Sequence, residues 1–150
     1  MNHFKFFKGY GCDDFELVAF DKALQDAGIG DYNIVKVSSI LPPNCAESKL
    51  INLATGSVLY TAYSKMILRP NEYGSTAVAY ATPKDSSLNG VIFETSSRNV
   101  QDNVEINVQE MCKKAMMNRN REIDKIFSKS MKVTNATGKY CAIITGIAMW

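Results

Sequence analysis

Residues 33–43, Asn-Ile-Val-Lys-Val-Ser-Ser-Ile-Leu-Pro-Pro, are the stretch of the chain that most constrains the fold. The stretch is β-branched and apolar as far as Leu41, which predicts one largely buried β-strand. The two prolines that follow have no N–H groups for a sheet, so the strand must leave the sheet there. Ser38 and Ser39 are unusual in this setting, because adjacent hydroxyls compete for backbone hydrogen bonds and are more typical of loops.

Upstream of this stretch, the sequence predicts a short strand and an amphipathic helix. The strand covers residues 4–8 and is expected to break at Gly9-Tyr10-Gly11. The helix covers residues 14–27, with Asp13 as its N-cap and Glu16 in the position of a capping box. Residues at helical spacing form its predicted apolar face: Leu17, Phe20, Leu24 and Ala27.

Downstream, the patterns predict four more strands and a second helix. The strands cover 57–69, 75–82, 91–95 and 140–150, the helix covers 102–119, and 122–134 fits either structure. The apolar face of this helix is expected to comprise Val104, Val108, Met111, Cys112 and Ala115. Two helices among antiparallel-looking strands favour an α+β fold over a Rossmann type, and 150 residues suit a single domain, residues 1–150.

The composition excludes several classes of function. The net charge of +2 is too balanced to indicate a surface for nucleic acid or membrane. The only histidine, His3, is near the N-terminus, which argues against a Ser-His-Asp triad and a histidine-based metal site. The glycines form neither a dinucleotide-binding fingerprint nor a P-loop. We therefore expect no bound metal, no nucleic-acid partner and no membrane partner.

The four cysteines, Cys12, Cys45, Cys112 and Cys141, are far apart and form no CxxC pair. This spacing argues against zinc, and we expect reduced, mostly buried thiols in a cytoplasmic protein. The N-terminal residues do not have the pattern of a secretory signal, and no stretch is long and apolar enough for a membrane span.

Residues 27–43 resemble the processing segment of pyruvoyl-dependent arginine decarboxylases. Further blocks match that family in the same order, at residues 20–24, 61–63 and 81–88, at Glu94 and at residues 148–150. The resemblance implies a four-layer αββα sandwich, assembled as a homotrimer of self-cleaved protomers. It also implies active sites between protomers, so Asp21 and Glu94 of one site are expected to come from different subunits.

In that family, the bond between the two adjacent serines cuts itself by autocatalytic serinolysis. The resemblance implies a β chain, residues 1–38, and an α chain, residues 39–150, with a pyruvoyl group made from Ser39. This covalent group does the work of pyridoxal phosphate, which is then not needed. The implied reaction is decarboxylation of L-arginine to agmatine and CO₂. Without the resemblance, the Ser38-Ser39 dipeptide is weak support for a self-cleaving site, because the chain also contains Ser86-Ser87 and Ser96-Ser97.

The resemblance also assigns roles to individual residues. Glu94 matches the catalytic acid, a proton donor that should be partly desolvated. Asn33 matches the residue needed for cleavage and site geometry, with the scissile carbonyl or its oxyanion as a plausible hydrogen-bond partner. Asp21 matches the residue that receives the substrate guanidinium, and Leu24, Gly30 and Ile40 match pocket positions.

Each of these residue types has a simpler explanation without the resemblance. Glu94 could be an exposed strand carboxylate, Asn33 a turn residue and Asp21 a solvated helix acid. Core packing would explain Leu24 and Ile40, and a helix exit would explain Gly30. Tyr32 departs from the family pattern, where a small aliphatic residue is expected, so the resemblance does not determine the size of the pocket.

Three alternatives remain. The enzyme could act on another cationic amino acid, such as histidine or ornithine. The chain could be an uncleaved paralogue that serves as an oligomeric binding or regulatory subunit. Cleavage could also fall at Gly56-Ser57, since Gly-Ser is the dipeptide cut in the related aspartate decarboxylases, although the flanking residues do not match that family.

Overall fold

The computed structural model describes residues 1–100 and 103–150. Within them the chain forms two helices and nine strands, which confirms the predicted α+β class. The elements are β1 (His3–Asp13), α1 (Glu16–Asp26), β2 (Asn33–Lys36), β3 (Ile40–Leu41), β4 (Ala46–Glu47), β5 (Val58–Leu68), β6 (Tyr73–Pro83), β7 (Gly90–Arg98), α2 (Val104–Met117), β8 (Ile123–Thr134) and β9 (Tyr140–Met149).

The strands form two sheets. Sheet A has five strands in the order β2-β5-β9-β1-β4, and sheet B has four in the order β3-β7-β6-β8. One buried cluster contains residues of both sheets: the rings of Phe4 and Phe6, from β1, have centroids 5.0 and 5.5 Å from that of Tyr80, from β6. Helix α1 packs against β1 and β9, and helix α2 packs against β6, β7 and β8.

Strand β1 does not break at Gly9-Tyr10-Gly11 but continues to Asp13, so the predicted break is wrong. The glycines are needed for close packing rather than for a turn. A Cβ atom at Gly9 would lie 2.0 Å from the carbonyl oxygen of Ala23 in α1, and one at Gly11 would lie 2.5 Å from the Cβ of Lys22. The missing side chains therefore let the helix backbone approach the strand.

Helix α1 also differs from its prediction. It begins at Glu16, and Asp13 does not cap it, because the Asp13 carboxylate accepts from the N–H of Phe15 and pairs with Lys22 Nζ at 2.7 Å. Its buried residues, Ala19 and Ala23, are small enough to meet the glycines of β1. Leu17, predicted on the apolar face, is 81% exposed, whereas Phe20 and Leu24 are half-buried.

Helix α2 begins at Val104, and the side chain of Asn103 accepts from the N–H of Ile106 at its N-terminus. The predicted start at residue 102 lies outside the described residues. Four of the five residues of the predicted apolar face are buried, but Met111 is 38% exposed. Met116 is buried instead, because it lies about one helical turn beyond Cys112 and so on the same face of the helix.

The single buried strand predicted over 33–41 is wrong. The chain forms two short strands instead: β2 pairs in parallel with β5 of sheet A, and β3 pairs antiparallel with β7 of sheet B. Leu41 is the one buried residue of this segment. Both strands lie at the edge of their sheets, so an apolar composition does not bring burial on both faces.

The other strand predictions are confirmed. Residues 57–69 and 140–150 contain β5 and β9, residues 75–82 and 91–95 lie within the longer β6 and β7, and the ambiguous residues 122–134 contain β8. Among the described residues, no helix is long and apolar enough to span a membrane.

The expectation that all four cysteines are reduced is wrong for one pair. Cys12 and Cys141 face each other across β1 and β9, with Cα atoms 4.1 Å apart, and form a disulfide. Cys45 and Cys112 are free, and burial raises the pKa of the Cys112 thiol to about 12, which makes it unreactive. Sequence alone could not reveal the pair, because the register of β1 and β9 brings these distant residues together.

Candidate active site

Ser38 and Ser39 lie in the short segment between β2 and β3, where the chain passes from sheet A to sheet B. Each end of the segment is held by a sheet. The N–H of Val37 donates to the Thr61 carbonyl at 2.9 Å, and the N–H of Ile92 donates to the Ser39 carbonyl at 2.9 Å. Between these anchors, the N–H of Ile40 donates to the Ser38 carbonyl at 3.0 Å. Ser38 is exposed and Ser39 is half-buried.

Glu94 lies on β7, two residues beyond the Ile92 that holds Ser39. Its side chain is 18% exposed, so the carboxylate is partly desolvated. Lys36 Nζ is 3.2 Å from Glu94 Oε1 and also donates to the Tyr63 carbonyl at 2.9 Å. The carboxylate is therefore held beside an ammonium group that is itself fixed by the backbone of β5.

An open cleft of about 530 Å³ lies at this point. Its lining comes from β2, β5 and β7: Lys36, Tyr63, Ser64, Lys65, Glu94, Thr95 and Ser96. The sequence predicted Glu94 here but gave no role to Lys36 or Tyr63. The one available signal was a lysine inside an otherwise apolar run, and its partner could not be identified without the pairing of β2 with β5.

Asn33 lies at the start of β2, and its side chain is already engaged. Its Nδ2 donates to the Gly56 carbonyl at 2.6 Å, and its backbone N–H donates to the Ser57 carbonyl at 2.9 Å. Because β2 is extended from Asn33 to Lys36, roughly 10 Å of strand separates these two residues. Within one chain, Asn33 is thus well removed from Ser38 and Ser39.

The predicted substrate-binding residues lie near the C-terminal half of α1, except for Ile40 on β3. Asp21 is exposed, and Gln25 Nε2 donates to its Oδ2 at 2.5 Å. Gly30 lines a hollow of about 350 Å³ together with Gln25 and Tyr32. A Cβ atom at Gly30 would lie 2.8 Å from the Gln25 side chain, which explains the glycine.

The structure therefore gathers the predicted residues into two groups within one chain. Ser38, Ser39 and Ile40 lie where β3 meets β7, with Glu94 further along β7, while Asp21, Leu24, Gly30 and Asn33 lie around the end of α1 and the start of β2. Neither serine lines the cleft that contains Glu94. Ile40 is 40% exposed, and Leu24 is half-buried against the α1 core. Another hollow, of about 360 Å³ beside Cys45 and Tyr80, contains none of the predicted site residues.

In the described part of the chain, no cluster of His, Cys, Asp and Glu side chains could hold a metal ion.

Comparison with known proteins gives consistent matches over most of the chain. A family model described as pyruvoyl-dependent arginine decarboxylase matches residues 3–150. The chain is 37% identical over 135 residues to the pyruvoyl-dependent arginine decarboxylase of Methanocaldococcus jannaschii, covering 89% of this chain and 81% of that protein. It is 39% identical over 143 residues to the protein of the same name from Methanococcus aeolicus, covering 95% of this chain and 86% of that protein.

Proposed function

Since the chain belongs to the pyruvoyl-dependent arginine decarboxylase family, we propose that it converts L-arginine to agmatine and CO₂ with a pyruvoyl group made from its own Ser39. The observation that carries the proposal is the position of Ser38 and Ser39. They lie outside both sheets and are held at each end by a sheet hydrogen bond, and the bond to Ser39 comes from Ile92, two residues before the partly desolvated Glu94 on β7.

The residues present fit such a group. Ser39 supplies the hydroxyl and Ser38 the neighbouring carbonyl, and the gap between β2 and β3 leaves the bond between them outside the ladders. A pyruvoyl carbonyl supplies an electron sink for the loss of CO₂ and replaces pyridoxal phosphate, and no metal is needed for this role. The Ser39 carbonyl stays anchored to Ile92, so the modified end of the 39–150 chain would keep its position on β7.

Glu94 is the proton donor in this proposal. Glu94 lines the cleft formed by β2, β5 and β7, and low exposure keeps bulk water from competing for the proton. Lys36 is a positioning residue, because its ammonium group contacts Glu94 Oε1 and the Tyr63 carbonyl at once.

Asp21 is proposed to receive the substrate guanidinium, with Leu24, Gly30 and Ile40 around the rest of the side chain. A carboxylate suits this ligand because it can accept two parallel hydrogen bonds from a guanidinium. Asp21 is exposed and bound only to the flexible side chain of Gln25 in the described structure, so it can accept a new partner.

We further propose a four-layer αββα arrangement and a homotrimer with each active site between two protomers. Two observations support a shared site: Asn33 is far from Ser39 in its own chain, and apolar residues are exposed where β2 pairs with β5. Val35, Val58 and Tyr60 are 44%, 50% and 40% exposed there. A contiguous exposed apolar surface is typical of a subunit contact.

The test uses intact mass after reduction, together with arginine turnover. We expect fragments 1–38 and 39–150, agmatine production, and loss of activity on treatment with borohydride, which reduces the ketone. Ser39→Ala should leave the chain whole. An uncut, ketone-free chain without turnover would contradict the proposal and favour the non-catalytic paralogue, and a cut after Gly56 would move the processing site.

Substrate choice requires a separate measurement. We expect turnover of arginine to exceed that of ornithine, lysine and histidine, because the guanidinium alone offers paired donors to Asp21. Equal or greater turnover of another cationic amino acid would retain the chemistry but reassign the substrate.

A further inference from the structure

The Ser38 carbonyl, which belongs to the bond that is proposed to break, already has a hydrogen-bond donor. The N–H of Ile40 lies 3.0 Å from this oxygen and closes a tight turn around Ser39. The donor and the acceptor are only two residues apart, so the contact depends on a short piece of backbone and not on a mobile side chain.

The pairing of β3 with β7 explains why this N–H is available. Ile40 is directly opposite Val91, and the hydrogen bond next to this pair runs from Ile92 to Ser39. In an antiparallel ladder that pattern marks a non-hydrogen-bonded pair, whose own N–H groups point away from the partner strand. Because β3 is an edge strand, no further strand in the described part of the chain takes up the N–H of Ile40.

We propose that the backbone N–H of Ile40 stabilises the oxyanion that forms on Ser38 during self-cleavage. This role rests on the processing of Ser39 proposed above. It assigns a catalytic function to a main-chain group at a position whose side chain was predicted only to line the substrate pocket.

The step is an isomerisation of the Ser38–Ser39 amide. Ser39 Oγ forms a bond to the Ser38 carbonyl carbon, and the π electrons of the carbonyl move onto its oxygen. The bond from this carbon to the nitrogen of residue 39 then breaks, and the nitrogen takes the proton that the hydroxyl gives up. The amide becomes an ester, and no other reactant is consumed.

Negative charge develops on the Ser38 oxygen in the tetrahedral intermediate, and again when β-elimination of the ester releases Ser38 as a carboxylate. A donor that already points at this oxygen strengthens its hydrogen bond as the charge develops and needs no reorganisation. The later release of ammonia by water takes place on residue 39 and does not use this contact. The effect should therefore be seen in the rate at which fragment 1–38 appears, which depends on ester formation and elimination.

Two variants remove the donor in different ways. Ile40→Pro removes the N–H but keeps a normal amide carbonyl at Ser39 for Ile92, and an edge strand tolerates proline where the N–H faces away. Replacing Ile40 by its α-hydroxy acid analogue through cell-free synthesis keeps the side chain and exchanges the N–H for oxygen. We expect both to slow the appearance of fragment 1–38 by roughly 10²–10³-fold, measured by intact mass after reduction of freshly synthesised chains.

The matched control is the same ester replacement at Leu41. The N–H of Leu41 lies on the β7 side, opposite Gly90, so this change loosens β3 without touching the Ser38 oxygen. The Leu41 variant should cleave itself much faster than the Ile40 variants. Equal slowing in both would show that the cleavage rate depends on the anchoring of β3 and not on the contact with the Ser38 oxygen.

A wild-type rate of cleavage in the Ile40 ester variant would also overturn the proposed role of the Ile40 N–H. If circular dichroism shows that Ile40→Pro is unfolded, the ester variant alone tests the role. A wild-type chain that stays whole would instead contradict the processing itself, and the oxyanion role with it.

Discussion

Glu94 and its partner Lys36 are the clearest place to test the chemistry one residue at a time. Glu94→Gln keeps the size and the hydrogen-bonding ability of the side chain but cannot deliver a proton. We expect turnover of arginine to fall by roughly 10²–10⁴-fold, while cleavage after Ser38 continues. Agmatine production and reduced intact mass measure the two effects separately.

Glu122→Gln is the matched control for this change. Glu122 pairs with Lys84 Nζ at 2.8 Å on the surface, and its side chain is 78% exposed. This variant should retain wild-type turnover. Unchanged turnover in Glu94→Gln would remove Glu94 from its role as the proton donor.

Glu105 provides a residue-scale prediction about stability. Its carboxylate accepts from Ser130 Oγ at 2.6 Å and from Ser128 Oγ at 2.9 Å, and these hydrogen bonds lower its pKa below the ordinary value of 4.5. Because the pKa is lower in the folded state, the stabilisation is present above the unfolded-state pKa and is lost as the pH falls through the folded-state value.

We therefore expect Glu105→Gln to lower the free energy of unfolding by about 1 kcal/mol at pH 7. The difference from wild type should shrink at acidic pH, as the wild-type carboxylate becomes protonated. Urea unfolding of both proteins at several pH values between neutral and acidic provides the measurement. A difference that does not depend on pH would mean that the charge of Glu105 is not involved.

At the scale of secondary-structure elements, one substitution can test the packing of α1 on β1. Gly9→Ala would place a Cβ atom 2.0 Å from the Ala23 carbonyl oxygen, which forces the helix away from the strand. We expect the free energy of unfolding to fall by about 1–3 kcal/mol, which is the usual cost of overpacking a core. Gly138→Ala is the control, since a Cβ atom there would meet nothing within 4 Å. Thermal unfolding of both variants distinguishes a packing effect from a general effect of losing glycine.

Elements with a single clear pattern could be predicted from the sequence, and those that depend on tertiary contact could not. The strands over 57–69 and 140–150 are long and rich in strand formers, and both are present. The glycines of β1 were misinterpreted as a break, because their purpose is visible only when α1 lies against them. The 33–41 run was predicted as one strand, because its composition does not show that it passes between two sheets.

At the scale of the whole molecule, the sequence offers a candidate site as a set of residues but not as an arrangement. The resemblance identified Asp21, Asn33, Ser39 and Glu94 by their neighbours in sequence. One folded chain anchors Ser39 to Ile92, two residues from Glu94, and leaves Asn33 at the far end of β2. In the proposed trimer, the distance between these groups would depend on how protomers associate, and that information is not contained in local patterns.

A mixed assembly tests whether neighbouring protomers share the site. We expect Asn33→Ala and Ser39→Ala chains to stay uncut when each is expressed alone. In co-expressed mixed trimers, a Ser39→Ala chain can present its Asn33 to the intact serines of an Asn33→Ala neighbour. Differently tagged chains, purified together and reduced, should then show cleavage of the Asn33→Ala chain only. Absence of any cleavage in verified mixed trimers would place Asn33 and the bond in the same protomer.

The Cys12–Cys141 disulfide has a consequence for the molecule after processing. Cys12 belongs to residues 1–38 and Cys141 to residues 39–150, so self-cleavage would open the backbone without releasing either piece. The product would be two polypeptides joined at one covalent branch point. Its mass would differ from that of the uncut chain only by one water gained and one ammonia lost. On a denaturing gel without reductant, a fully mature enzyme and an inert precursor would therefore migrate as similar single species.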